Sequence, residues 1–198
     1  MLNKTQIKKL AFLSTKIQEC KKCKDLYKNG MAVPYWSEFS EIMVIAEAPG
    51  ESEVRKNMRT PLVGKAGRLF FSELKRKSIG FKREDLLILN TIQCRPVVNG
   101  RNGKPSKENQ ANCLFWINKY IEIFRPRVIL TVGKYAMDAF IESEFGIKEE
   151  CGRVYSIEIL DGLTTKIIPC IHPASVLYSK SNIDYLRISL KTLAEVKN

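Results

Sequence analysis

Residues 41–50 read Glu-Ile-Met-Val-Ile-Ala-Glu-Ala-Pro-Gly. The apolar run Glu41–Ala46 lacks the polar alternation of a half-exposed strand, and Pro49 and Gly50 close it. A short strand buried on both faces belongs inside a parallel sheet. Working outward, Leu86–Asn90 and Arg127–Val132 repeat the pattern, and helical periodicity fills the intervals. Asn3–Glu19 places Ile7, Leu10, Ala11 and Ile17 near one face, with Asn3 or Thr5 as cap. Lys65–Ser78 carries Leu69, Phe70 and Leu74 on one stripe, and Ser106 caps a helix through Phe124. Gly133 opens a helix to about Phe145, and Ile183–Val196 forms another. Val154–Leu160 and Thr164–Ile171 flank Asp161-Gly162, a hairpin turn signal, whereas Pro96–Pro105 reads as a polar loop.

Strands separated by helices build right-handed βαβ units, the signature of an α/β fold with a mostly parallel sheet. Ligands of such sheets bind beyond the carboxyl ends of the strands. The loops expected there are Glu47–Gly64, Thr91–Pro105, Gly133–Lys134 and His172–Lys180. They hold most of the chemically unusual residues.

The chain has 198 residues with 33 Lys+Arg against 21 Asp+Glu, a formal charge of +12. That surplus points to a polyanion, most simply nucleic acid; the competing explanation is a lysine-rich composition with no partner behind it. With 44% hydrophobic and 27% charged residues, wholesale disorder is excluded, and no apolar run reaches the ~20 residues of a membrane span. Met1–Lys9 is basic, with no apolar core or cleavage site after it, so the expectation is a cytoplasmic, nucleoid-associated protein.

Six cysteines are present, and disulfides are not expected of such a chain. Cys20-x-x-Cys23 is a chelating pair; with Cys94 and Cys113 it could supply four soft ligands to a [4Fe–4S] cluster or to zinc. The alternative is buried free thiols, the reading adopted for Cys151 and Cys170. His172, the sole histidine, could equally be structural, but it follows an apolar strand and precedes Pro173, Ala174 and Ser175. The amide of Asn90 could pair with a base edge. Gly64-Lys65-Ala66-Gly67 lacks the full phosphate-loop pattern, which disfavours a nucleotide hydrolase.

Taken together, Glu47-Ala48-Pro49-Gly50, Pro61-Leu62-Val63-Gly64-Lys65-Ala66-Gly67, Asn90-Thr91-Ile92-Gln93-Cys94-Arg95-Pro96 and His172-Pro173-Ala174-Ser175 resemble, in order, the motifs of family 4, iron–sulfur uracil-DNA glycosylases. The resemblance runs from about Cys20 to Tyr185. It implies one domain over 1–198, a three-layer α/β/α sandwich around a mostly parallel, four-stranded sheet. It also implies a structural [4Fe–4S] cluster on Cys20, Cys23, Cys94 and Cys113, and a monomer hydrolysing uracil from DNA without a membrane. A clamp or repair-protein partner is not readable. By the same resemblance His172 donates to the uracil carbonyl and Asn90 reads the base edge, with Ala46, Ala48 and Leu62 also in the base pocket. The Glu47–Gly50 loop places the water, with Glu47 and Glu53 as the carboxylates of interest. Gly64, Lys65, Ala66 and Gly67 contact phosphate, and Pro173, Ala174 and Ser175 enter the DNA.

Three positions depart from the family pattern: Leu62 stands where an aromatic ring stacks on uracil, Ala46 where glycine is usual, and Arg59 or Thr60 where glycine often precedes the Pro-Phe-Val-Gly segment. Ala48 stands where related families carry an aspartate. Phe70, Phe71, Tyr35 and Trp36 are candidate substitutes for the missing ring. Two alternatives remain at this level, a glycosylase for another deaminated base such as hypoxanthine, and a non-catalytic binder of uracil-bearing or single-stranded DNA.

Overall fold

A computed structural model describes residues 1–55 and 57–197. The three apolar runs form β1 (Ile42–Ala46), β2 (Leu86–Asn90) and β5 (Val128–Val132). The hairpin sequence forms β6 (Tyr155–Leu160) and β7 (Leu163–Cys170), joined through Gly162 at φ +65°. The order is β2-β1-β5-β7-β6, with every neighbouring pair parallel except β6–β7. The sheet therefore has five strands rather than four, because Tyr155–Leu160 completes it as an antiparallel edge. The alternating burial of β6 is what one exposed face requires.

β1 explains the layering. Met43 and Ile45 pack beneath α1 (Lys4–Gln18) and α3 (Lys107–Phe124), while Ile42, Val44 and Ala46 face α2 (Lys65–Leu74) and α7 (Ile183–Lys197). All five residues are buried, and burial of a large apolar side chain is worth about 1.5–3 kcal/mol. The outer layers are tied by polar contacts. Ser14 Oγ lies 2.9 Å from Tyr120 Oη between α1 and α3, and Arg187 forks onto Glu73 at 2.7 and 3.2 Å between α7 and α2. Arg187 holds the Glu73 carboxyl below its usual range. No helix among the described residues is long and apolar enough to cross a membrane.

Helix starts follow their caps. Asn3 closes a box with Gln6, and Ser106 with Asn109. Helix ends depart from periodicity. α2 stops at Leu74 rather than Ser78. The helix expected from Gly133 to Phe145 is cut to α4 (Lys134–Met137), and α5 (Ile147–Glu150) follows. Ser143 Oγ accepts from Phe145 N–H at 3.1 Å and donates to Glu150 at 2.6 Å, so a side chain takes over what an intrahelical bond would have used. The expected loop at 96–105 contains a small hairpin, β3 (Val97–Val98) and β4 (Arg101–Asn102), turning at Asn99 and Gly100 with φ of 50° and 75°. Two successive positive φ values define the Asn-Gly hairpin turn. The segment after His172 folds as α6 (Ala174–Tyr178).

Gly67 lies where α2 passes the 59–64 loop. A Cβ there would sit 1.9 Å from the Leu62 carbonyl oxygen. Gly67→Ala therefore forces backbone apart and is expected to destabilise the protein by about 1–3 kcal/mol. A drop in thermal midpoint checks this; an unchanged midpoint contradicts the packing described.

Candidate active site

The carboxyl ends of β1, β2 and β7 border a cleft of about 490 Å³. Backbone bonds knit the ends together: Thr91 N–H to Ala46 O at 2.7 Å, and Gly133 N–H to Cys170 O at 2.8 Å. Ala46, Ala48 and Leu62 supply apolar wall, Asn90 and His172 polar wall, and Lys65, Arg68 and Arg55 cations. The cations suit an anionic backbone lying across the mouth.

Asn90 ends β2 at 1% exposure, and among the described residues its Nδ2 has no hydrogen-bond partner. A buried amide donor left unpaired costs about 1–3 kcal/mol, so this group is prepared for an acceptor absent from the protein itself. The Asn90 carbonyl is occupied, accepting from Gln93 Nε2.

His172 follows β7. Its Nδ1 accepts the Ala174 N–H at 3.2 Å, so the neutral ring carries its proton on Nε2. Burial holds its pKa down at about 4. The ring is thus a neutral donor at the cleft.

The two acidic candidates separate. Glu47 turns away from the cleft: its Oε1 accepts from Tyr135 N–H at 3.2 Å, against Gly133. A Cβ on Gly133, at φ +103°, would lie 2.4 Å from the Glu47 carboxyl carbon, so only glycine fits. Burial raises the Glu47 pKa against the amides of Tyr135 and Lys134. Glu53 borders the cleft at 8% exposure. Its Oε2 accepts from Gly50 N–H at 2.9 Å, and the amides of Leu62, Val63 and Gly64 also face it. Burial outweighs these donors and raises its pKa.

Leu62 is buried at φ +56°, a conformation that costs a bulky side chain of order 1 kcal/mol or more. Of the four possible ring substitutes, Phe70 is core, Phe71 and Tyr35 pack beside Arg83, and Trp36 donates to Ser14 Oγ at 3.3 Å. Among the described residues no aromatic ring other than His172 lines the cleft.

Gly64, Lys65, Ala66 and Ala174 reach the cleft with the residues above. Gly67 lies against Leu62, Pro173 is buried, and Ser175 Oγ is buried without a partner. Asn102 also borders the cleft and was not anticipated. Arg95 Nε donates to Asn102 Oδ1 at 2.7 Å, and Arg95 Nη2 lies 3.7 Å from Glu51, so the Asn102 amide is oriented by a chain of charges. The Asn99-Gly100 turn is the signal that could have revealed it.

The four expected ligand cysteines lie on the α1–α3 side of the sheet, apart from the cleft. Cys23, Cys94 and Cys113 are buried and Cys20 half-buried, all without disulfides. Burial pushes the Cys94 thiol up to about 12 and that of Cys113 up to about 11, with charge on the neighbouring thiols acting the same way. As placed, no group of three or more candidate ligands among the described residues is disposed to hold a metal ion. In donor chemistry the fit is nonetheless to a thiolate-held centre, because the charges of Cys20, Cys23 and Cys113 all act on the Cys94 thiol. Cys170 is fully buried and Cys151 half-buried.

Comparison with known proteins is consistent with this geometry. The family described as the Uracil DNA glycosylase superfamily matches residues 33–195. The chain belongs to the uracil-DNA glycosylase superfamily. It is 35% identical over 187 residues to the Type-4 uracil-DNA glycosylase of Archaeoglobus fulgidus, covering 91% of this chain and 89% of that one. The Type-4 enzyme of Thermotoga maritima is 33% identical over 192 residues, 96% and 93% of the two chains. A Type-5 uracil-DNA glycosylase of Pyrobaculum aerophilum is 24% identical over 180 residues, 84% and 74% of the two.

Because His172 is the only histidine, its imidazole resonances can be followed without assignment. They are expected to titrate at about 4, with Nε2 protonated above that pH. Because its folded pKa is depressed, the linked stability is present above the unfolded value of about 6.5 and is lost as pH falls toward 4. A midpoint at about 6.5 contradicts the burial described.

Proposed function

We propose that this protein is a uracil-DNA glycosylase, hydrolysing the bond between uracil and deoxyribose and leaving an abasic site. The observation that carries the reading is the unpartnered Asn90 Nδ2 in a cleft also bordered by the neutral His172 ring. A base extruded from the stack offers its carbonyl edge to such donors.

As the C1′–N1 bond lengthens, positive charge develops on the sugar and negative charge on the departing uracil. His172 Nε2–H is the donor for the uracil carbonyl oxygen where that charge collects; a neutral imidazole does this without surrendering its proton. The Asn90 amide supplies an N–H to one base carbonyl and an oxygen to the adjacent ring N–H, a pairing cytosine reverses. Water attacks C1′, and its proton goes to Glu53, whose raised pKa suits a general base. Glu47 acts at a distance, pinning the β1 loop to Gly133 and Tyr135. Gly64, Lys65, Ala66 and Asn102 flank the phosphodiester, while Pro173, Ala174 and Ser175 brace the turn that meets the strand. The exposed Leu177 and Tyr178 lie next along α6, where they can enter the space the base leaves.

Cys20, Cys23, Cys94 and Cys113 would hold a [4Fe–4S] cluster. Bound there, it would cross-link the segment after α1, the loop after β2, and α3. The whole chain acts as one domain and as a monomer on DNA. A second reading, removal of a larger deaminated base, is favoured by one observation: an aliphatic Leu62 where a ring would narrow the cleft.

A single-uracil oligonucleotide treated with the protein and then alkali should be cut. An intact but retarded strand would mark a binder instead, and hypoxanthine in the same position tests the second reading. His172→Ala should slow excision about a hundredfold or more, the loss expected for one such donor. Glu53→Gln should slow it at least about tenfold; a wild-type rate excludes Glu53 as the base. Serine at any of the four cysteines should abolish broad absorbance near about 400 nm, the signature of thiolate-bound iron; a colourless, zinc-bearing wild type would replace the cluster with zinc.

A further inference from the structure

The 59–64 segment carries Leu62 to the cleft wall in an unusual conformation, with Arg59 at φ 20° and Leu62 at φ 56°. Something must hold it there. Arg83, from the short turn before β2, reaches across. Its Nη2 donates to Thr60 Oγ1 at 3.2 Å and to Pro61 O at 2.9 Å. Its guanidinium is half-buried between two rings, 4.3 Å from the Tyr35 centroid and 4.8 Å from that of Phe71. Tyr35 is itself fixed, exchanging backbone bonds of 2.8 Å with Ile88 of β2. From the other side, the Glu53 carboxylate faces the amides of Leu62, Val63 and Gly64.

The segment is thus gripped by its oxygens at 60–61 and by its N–H groups at 62–64. We propose that Arg83 is a positioning residue for base recognition: clamped between Tyr35 and Phe71, it holds Thr60 and Pro61 so that Leu62 forms the wall against the extruded base. This rests on the glycosylase reading above. Arg83 does not line the cleft, so it acts through the loop. The reach of the guanidinium is needed: its Cζ lies over both rings while Nη2, one bond further on, meets both oxygens; a lysine nitrogen ends about where Cζ lies and stops short of them.

The test separates base recognition from DNA binding. Affinity is measured for an oligonucleotide bearing a 2′-fluorinated deoxyuridine, which resists hydrolysis, and for the same strand bearing a tetrahydrofuran abasic analogue. Arg83→Gln should lower the preference for the uracil-bearing strand about tenfold, the loss of one to two hydrogen bonds, while affinity for the abasic analogue stays within about twofold. Arg83→Lys should fail to restore the preference. Thr60→Ala, which removes one bond and little packing, should lower it about threefold and decides the matter if the Arg83 variants do not fold. Wild-type preference in Arg83→Gln or in Thr60→Ala, full rescue by lysine, or equal loss of both affinities overturns the role of Arg83. A wild type that cuts no uracil strand and binds both probes alike overturns the glycosylase reading itself.

Discussion

The constraint on which the rest depends is the burial of β1 on both faces. Five consecutive apolar residues between two parallel neighbours leave no room for a polar side chain before the strand ends. Polarity therefore emerges abruptly at Glu47, and chain direction sends it to the same edge as Asn90 and His172. A parallel sheet makes such an edge by construction, because the carboxyl ends of its strands lie together.

At that edge, burial sorts chemically similar groups into different work. Glu47 and Glu53 are six residues apart, and desolvation raises the pKa of both. One carboxylate is spent on the amides that open α4, and the other faces both the loop amides and the cleft. His172 is held neutral by the same desolvation and fixed in one tautomer by Ala174. None of these outcomes follows from residue type; each follows from burial together with which amides lie nearby.

The cleft wall is assembled differently from its floor. Asn90 and Ala46 are strand termini, rigid because the sheet is rigid. Leu62 belongs to irregular chain, kept in place by a buried carboxylate, a stacked guanidinium and the missing Cβ of Gly67. In the proposed function, rigid floor and tethered wall divide the labour between base-edge reading and base contact.

The sequence by itself determined the α/β class, the three apolar parallel strands, the helix cap at Ser106, and the loops that carry the cleft; it narrowed the first cap to Asn3 or Thr5. It could do so because apolar runs, helical spacing and capping are local, and because parallel strands align their carboxyl ends. The tertiary structure alone decided the fifth strand's place in the sheet, the early ends of α2 and α4, the turning of Glu47 away from the cleft, and the reach of Arg83 to Thr60 and Pro61. Those are contacts between residues far apart in the chain, where burial and shared hydrogen bonds override local preference, and periodicity has no access to them.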